Sequence, residues 1–195
     1  MIIGYVWPEP NTTAAGGRML QLIHFFLEQD YQITFASTAA ESEFSFDLDS
    51  LGVRKKTILL NHSSFDVFLK DLDPGIVLFD RFMTEEQFGW RVVENAPNAL
   101  RILDTEDLHS LRIARQLSFK KSIPFTEQFW LDQDQTKREM ASIYRCDLSL
   151  IISLYEMELL TKTVKMDPNL LVHLPMMFDA IDEERQNHWL QFDQK

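Results

Sequence analysis

The sequence predicts an α/β domain built on a mostly parallel sheet with helices on both faces, and three observations lead there. Short β-rich runs alternate with stripes of apolar residues at helical spacing along most of the 195 residues. The run GIVLFD (75–80) is continuously apolar, as expected of a strand buried on both faces. Nearly every β-rich run ends in polar residues, and in doubly wound, Rossmann-like sheets ligands bind beyond the carboxyl ends of the strands.

The elements follow in order. IIGYVW (2–7) reads as the first strand. After a loop, Met19, Leu20, Ile23, Phe26 and Leu27 form a helical stripe that leaves Phe25 aside. QITFAS (32–37) is the second strand, ESEFSFDLDS (41–50) a loop or hairpin, and KKTILLN (55–61) the third strand. Ser63, with Asp66 three residues on, caps a helix carrying Phe65, Phe68, Leu69 and Leu72. Asp73-Pro74-Gly75 turns the chain into GIVLFD, and Thr84 with Gln87 makes a capping box for the next helix. ALRILD (99–104) is the fifth strand. Leu108, Leu111, Ala114 and Leu117 mark a helix from Asp107 to Ser118, and a second helix covers Gln135 to Arg145 after a loop rich in Phe and Trp. LSLIIS (148–153) comes next, and Ser153 with Glu156 forms the sharpest capping box of the chain. LLVHL (170–174) is the last strand. Residues 1–180 are expected to form the domain and 181–195 a polar, helical segment leading to a second domain that this chain lacks.

Composition narrows the partners. Thirty acidic against 19 basic residues give a formal charge of −11, which opposes non-specific binding to nucleic acid or an anionic membrane. Small ligands or proteins fit better. The single cysteine, Cys146, excludes an intramolecular disulfide and a cysteine-built zinc site and reads as an inert core thiol. No stretch approaches the ~20 apolar residues of a membrane span and no positively charged leader opens the chain, so a cytoplasmic location is expected. No cofactor and no metal are expected.

Candidate sites lie at the strand ends. Gly16 and Gly17 stand before a helix, where a missing Cβ lets a phosphate approach the backbone, or lets helix and strand pack closely. The pair is not G-x-G-x-x-G, and no lysine follows as in a Walker loop. DTEDLH gathers Asp104, Glu106, Asp107 and His109, enough for a general base or a hydroxyl-binding set. Its acids lack a second histidine for a metal, and Thr105 or Asp107 would equally serve as a helix cap. Asp80-Arg81 is either a substrate contact or an internal ion pair. His24, His62 and His188 read as solvated and His173 as a core histidine.

EEQFGWRVVE (85–94) is the most chemical-looking phrase. At ~100° per residue, Phe88, Gly89, Val92, Val93 and Ala96 share one side of a helix, and Glu86, Gln87, Arg91 and Glu94 share the other with Trp90. That layout describes an amphipathic surface helix.

Three segments taken together, GYVWPEPNTTAAGGRMLQLIHFFLEQDYQITFAS, ILDTEDLHSLR and CDLSLIISLYEMELL followed by LLVHLPMMFD, resemble the N-terminal half of a retaining glycosyltransferase of the GT-B architecture, in the glycosyltransferase family 4 group. The resemblance implies an acceptor-binding domain of an enzyme of carbohydrate biosynthesis. Its partners would be a nucleoside-diphosphate sugar and a glycan or other hydroxyl acceptor, with a second domain holding most of the donor. It implies that Gly16 and Gly17 lie near the donor phosphates. It also makes His109, Glu106 and Asp104 the catalytic candidates, and Asp80, Arg81, Ser153 and Glu156 substrate contacts. The family's histidine after a mid-sheet strand falls on Glu106, with His109 three residues later. The family's Glu-x7-Glu donor motif is imitated by Glu86 and Glu94, yet in the family it lies in the second domain. The chain alone is thus expected to be incomplete as an enzyme. Two other readings stand beside this one. The domain is a stand-alone interaction module presenting Trp90, Trp130 and Trp189 to a protein partner or a second copy, or it is a small flavodoxin-like enzyme acting on a phosphorylated metabolite.

Overall fold

The computed structural model describes residues 1–177, so the polar segment 181–195, with His188 and Trp189, lies outside the described residues. Seven strands form one sheet: β1 (Ile2–Gly4), β2 (Thr34–Ser37), β3 (Arg54–Thr57), β4 (Ile76–Asp80), β5 (Leu100–Asp104), β6 (Leu148–Ile151) and β7 (Leu171–His173). Their order is β3-β2-β1-β4-β5-β6-β7, and every neighbouring pair is parallel. The chain moves outward from β1 to β3, then returns to place β4 on the other side of β1. The reversal opens a crevice at the carboxyl ends of β1 and β4.

Alternate residues of the central strands feed two cores. Ile2, Phe35, Leu78, Ile102 and Leu150 face helix α1 (Ala14–Glu28), which buries Met19, Leu22 and Ile23 against them. Ile3, Ala36, Val77, Phe79, Leu103 and Ile151 face the opposite layer. That layer comprises α2 (Ser64–Leu72), α3 (Phe82–Asn95), α4 (His109–Lys120), α5 (Glu127–Leu131), α6 (Asp134–Arg145) and α7 (Leu154–Glu158), the last running into a π-helical turn over Leu159–Thr163. The two faces are covered unevenly. On the α1 side, part of the cover comes from Leu174 and Met177, where the chain leaves β7. Among the described residues no helix is long and apolar enough to cross a membrane.

Several local expectations are corrected by their neighbours. The third strand stops at Thr57, where pairing with β2 ends, and Leu59 and Leu60 are exposed. Ser63 makes no side-chain cap; His62 Nδ1 accepts the Ser64 amide at 3.1 Å instead. Thr84 cannot open a capping box because α3 already begins at Phe82, and its hydroxyl donates back to the Asp80 and Arg81 carbonyls, both at 2.9 Å. The aromatic loop before α6 contains α5, which buries Trp130 completely. His173 is exposed, because β7 is the last strand of the described sheet.

Helix α3, which carries EEQFGWRVVE, is more enclosed than a surface helix, because it packs between α2 and α6. The flanking helices bury Glu85 against Arg145 (Nε to Oε1, 2.8 Å) and Arg91 against Asp66 (2.6 Å), while Val93 is exposed. Glu86 pairs with Arg138 at 2.6 Å and Glu94 is exposed.

Candidate functional site

The crevice between β1 and β4 holds a cavity of about 140 Å³. The loop after β1 contributes Val6, Trp7, Pro8 and Glu9; α1 contributes Thr13, Ala15, Gly16 and Met19; the ends of β4 and β5 contribute Asp80, Arg81 and Glu106. The ends of β2, β3 and β6 do not reach it.

Its floor is built around charge. Asp80, the last residue of β4, is only 3% exposed. Its Oδ2 accepts the Tyr5 amide at 2.9 Å, whereas Oδ1 has no hydrogen-bond donor among the described residues and lies 3.5 Å from Arg81 Nε. Arg81 Nε donates to Glu106 Oε2 at 2.7 Å, and the guanidinium sits 5.3 Å from the centre of the Tyr5 ring. Burial, together with repulsion from Glu106, pushes the Asp80 carboxyl up to about 7 against the opposing pull of Arg81 and the Tyr5 amide. Burial likewise raises Glu106, opposed by Arg81.

The backbone here is strained. Arg81 has φ 72° and ψ 155°, a region almost confined to glycine, and Glu106 has φ 59°. Such conformations cost on the order of 1–3 kcal/mol each and persist only where the surroundings enforce them. The Arg81 amide donates to the Asp104 carbonyl at 2.8 Å, which fixes its peptide beside β5.

Asp104 is fully buried, and its partner is Arg18, which sequence reasoning missed. Arg18 Nε reaches both carboxylate oxygens at 3.0 Å and Nη2 reaches Oδ1 at 2.8 Å. Nη1 donates to the Leu174 carbonyl at 2.9 Å, and the Met177 amide donates to Gln21 Oε1 at 3.2 Å. One arginine of α1 thus ties the end of β5 to the segment leaving β7. The signal was present: Arg18 stands four residues before buried Leu22, on the apolar face of an amphipathic helix.

The glycine pair splits. Gly16 lines the cavity, and a Cβ there would lie 2.4–2.5 Å from Glu9 backbone atoms; at Gly17 a Cβ would meet nothing within 4 Å. Both amides are engaged within the helix start, Gly16 N–H on Thr13 Oγ1 at 3.0 Å and Gly17 N–H on the Thr13 carbonyl at 3.1 Å.

His109, Ser153 and Glu156 lie outside the cavity lining. His109 Nδ1 is 2.8 Å from Asp107 Oδ1. Ser153 Oγ caps α7 by accepting the Glu156 amide at 3.1 Å, while Glu156 Oε1 accepts the Leu108 amide at 2.9 Å. Neither Thr105 nor Asp107 caps α4. Glu139 of α6 does so, accepting the His109 and Ser110 amides at 2.9 Å each. Among the described residues no cluster of His, Cys, Asp and Glu is placed to hold a metal ion.

No protein-family model and no curated protein sequence matches the chain. Six chains among solved structures do, including apo UGT2 of Phytolacca americana, at 11% identity and a TM-score of 0.42, over 97% of this chain and 54% of that one. The chain therefore spans about half the length of that protein. The α/β architecture stands on the chain's own parallel sheet.

Proposed function

We propose that the chain is the acceptor-side domain of a glycosyltransferase that moves a sugar from a nucleoside diphosphate to an acceptor hydroxyl, with a second domain supplying most of the donor contacts. The observation that carries the acceptor assignment is Asp80. It is a buried carboxyl with one oxygen lacking a hydrogen-bond donor among the described residues, lining a cavity at the carboxyl edge of the sheet where the strand order reverses. The donor half of the reading comes from the sequence resemblance to family 4 enzymes of the GT-B architecture, which implies retention of the anomeric configuration. Asp80, Glu106 and Arg81 orient the acceptor. Asp104, held by Arg18, fixes the end of β5 beneath them, and His109 is the nearest imidazole in sequence for proton movement. Gly17, with open space where a Cβ would stand, lets the donor diphosphate approach the start of α1, while Gly16 lets the Glu9 backbone pack against that helix start; both amides are occupied, so close approach is their contribution.

The test is consumption of nucleoside-diphosphate sugars by the complete product of the gene, with nuclear magnetic resonance reading the anomeric configuration of the product. Acceptor-dependent release of nucleoside diphosphate is expected, reduced by Asp80→Ala. Absence of any acceptor-dependent release across the common donors would overturn the reading. A second reading, a non-catalytic interaction module, is favoured by a different observation. Tyr5, Val6, Leu59, Leu60, Leu154 and Tyr155 are exposed just beyond the ends of β1, β3 and β6, where a covering body would bury them.

A further inference from the structure

The geometry points to an uncharged ligand with neighbouring hydroxyl groups, the size of a single sugar ring, whose one hydroxyl meets Asp80 Oδ1 while the next accepts from Arg81. The inference rests on the acceptor-side reading and narrows its substrate class.

Size is the first argument. A cavity of about 140 Å³ is well below the ~300–1,000 Å³ typical of pockets that enclose a whole drug-sized ligand, so it takes one ring-sized group.

Polarity is the second. Asp80 Oδ1 is buried with no donor, and a buried acceptor without a partner costs about 1–3 kcal/mol, so a ligand that donates there recovers a defined stabilisation. Of the Arg81 guanidinium nitrogens only Nε donates to a described residue, Glu106, which leaves the two terminal nitrogens as donors for a ligand oxygen. An acceptor and a fork of donors side by side suit a diol, in which one hydroxyl donates and the other accepts.

Charge is the third. Three acids, Glu9, Asp80 and Glu106, line the cavity against one base, Arg81. With these acids ionised, phosphate and carboxylate ligands meet net repulsion. The groups that set the protonation of Asp80 are Glu106 and Asp104 from β5 and its loop, the Tyr5 amide from the loop after β1, and Arg81 at the start of α3. A carboxyl that titrates near neutrality offers an acceptor in one state and a donor in the other. A hydroxyl serves both states, an ammonium only the ionised one, and a phosphate only the protonated one.

The experiment is a titration of the purified chain, followed by amide shifts in nuclear magnetic resonance at pH 6 and pH 8. Four probes are compared: methyl α-glucopyranoside, its 2-amino-2-deoxy analogue, glucose 6-phosphate and cyclohexanol. The neutral glycoside is expected to bind best, saturably, with shifts at Tyr5, Arg81 and Glu106 and nearly the same affinity at both pH values. Cyclohexanol, with one hydroxyl, and the Arg81→Ala variant should each lose about tenfold or more. Asp80→Asn keeps an acceptor oxygen and cannot ionise, so it should retain glycoside binding. Preference for the amine at either pH, preference for the phosphate, or no saturable shift with any probe would each overturn the inference. None of these outcomes decides the broader reading, which is measured separately by acceptor-dependent release of nucleoside diphosphate.

Discussion

Asp80 and Glu139 are both deeply buried carboxyls, and burial pushes each up to about 7. Their surroundings differ. Both oxygens of Glu139 are occupied by backbone amides at the start of α4, so the group closes a helix end whose N–H groups would otherwise be orphaned. Asp80 has one oxygen on the Tyr5 amide and one without a hydrogen-bond donor, 3.5 Å from Arg81 Nε, beside a cavity and a strained arginine. A raised carboxyl therefore does not by itself mark a site. The unspent oxygen facing a cavity does.

Asp104 supplies the third case, a buried acid fully matched by a base, and breaking that match should give the largest effect. Arg18→Met removes the partner but keeps the side-chain bulk, leaving Asp104 buried and unpaired and the Leu174 carbonyl without its donor. Stability should fall by about 3–5 kcal/mol, read from urea unfolding at neutral pH. A loss indistinguishable from zero would mean that Asp104 is neutral in the folded chain.

The comparison between Asp80 and Glu139 is sharpened by pH. Asp80 rises from its ordinary value of 3.8 to about 7 on folding, so between those values the folded chain holds a proton that the unfolded chain has released. The contribution of Asp80 to stability is then greatest below pH 4, declines as pH rises, and levels off above 7. At about 1.4 kcal/mol per pH unit, the full shift sets an upper bound of about 4 kcal/mol. Asp80→Asn should flatten this decline, being more stable than the parent at pH 8 and similar at pH 4. Glu139→Gln should behave otherwise. Its amide nitrogen is a donor and would face one of the two N–H groups that the carboxylate oxygens accept, so it should lose about 1–3 kcal/mol even at pH 4. Parallel unfolding curves for both variants would erase the distinction.

How far the sequence disclosed these groups depends on where their partners lie. The sheet was legible because strand burial is written locally, in GIVLFD and in the alternation of β-rich and helical runs. Asp80, Arg81, Asp104 and Glu106 were legible as candidates because polar residues at strand ends stand out. Their roles were not, because Arg18 and Tyr5 meet them from 86 and 75 positions away. Capping divides in the same way. Ser153 caps α7 as its local sequence predicts, whereas Asp107 has local capping chemistry and yet α4 is capped by Glu139, about thirty residues downstream and on another helix. In the helix carrying Glu85 to Glu94, Phe88, Gly89, Val92 and Ala96 are buried and Trp90 and Glu94 exposed as the pattern predicts, whereas Glu85 and Arg91 are buried by ion pairs with Arg145 and Asp66 of the flanking helices, and Val93 is exposed.

The smallest effect, and the most discriminating one, concerns the neighbouring glycines. Gly16→Ala would place a methyl 2.4–2.5 Å from the Glu9 backbone, which no rotamer change relieves, so a cost of about 1–3 kcal/mol is expected. Because Glu9 and Gly16 both line the cavity, the same change should shift its wall and weaken glycoside binding. Gly17→Ala meets nothing and replaces glycine within a helix, so it should gain up to about 1 kcal/mol. Packing therefore gives no reason for glycine at position 17. If a donor diphosphate approaches the start of α1 closely, Gly17→Ala should stabilise the chain while lowering nucleotide-sugar turnover by the complete gene product. Turnover unchanged in Gly17→Ala, measured beside thermal unfolding of the same variant, would remove Gly17 from the donor side and leave the cavity at Gly16, Asp80 and Arg81 as the ligand-bearing part of this edge.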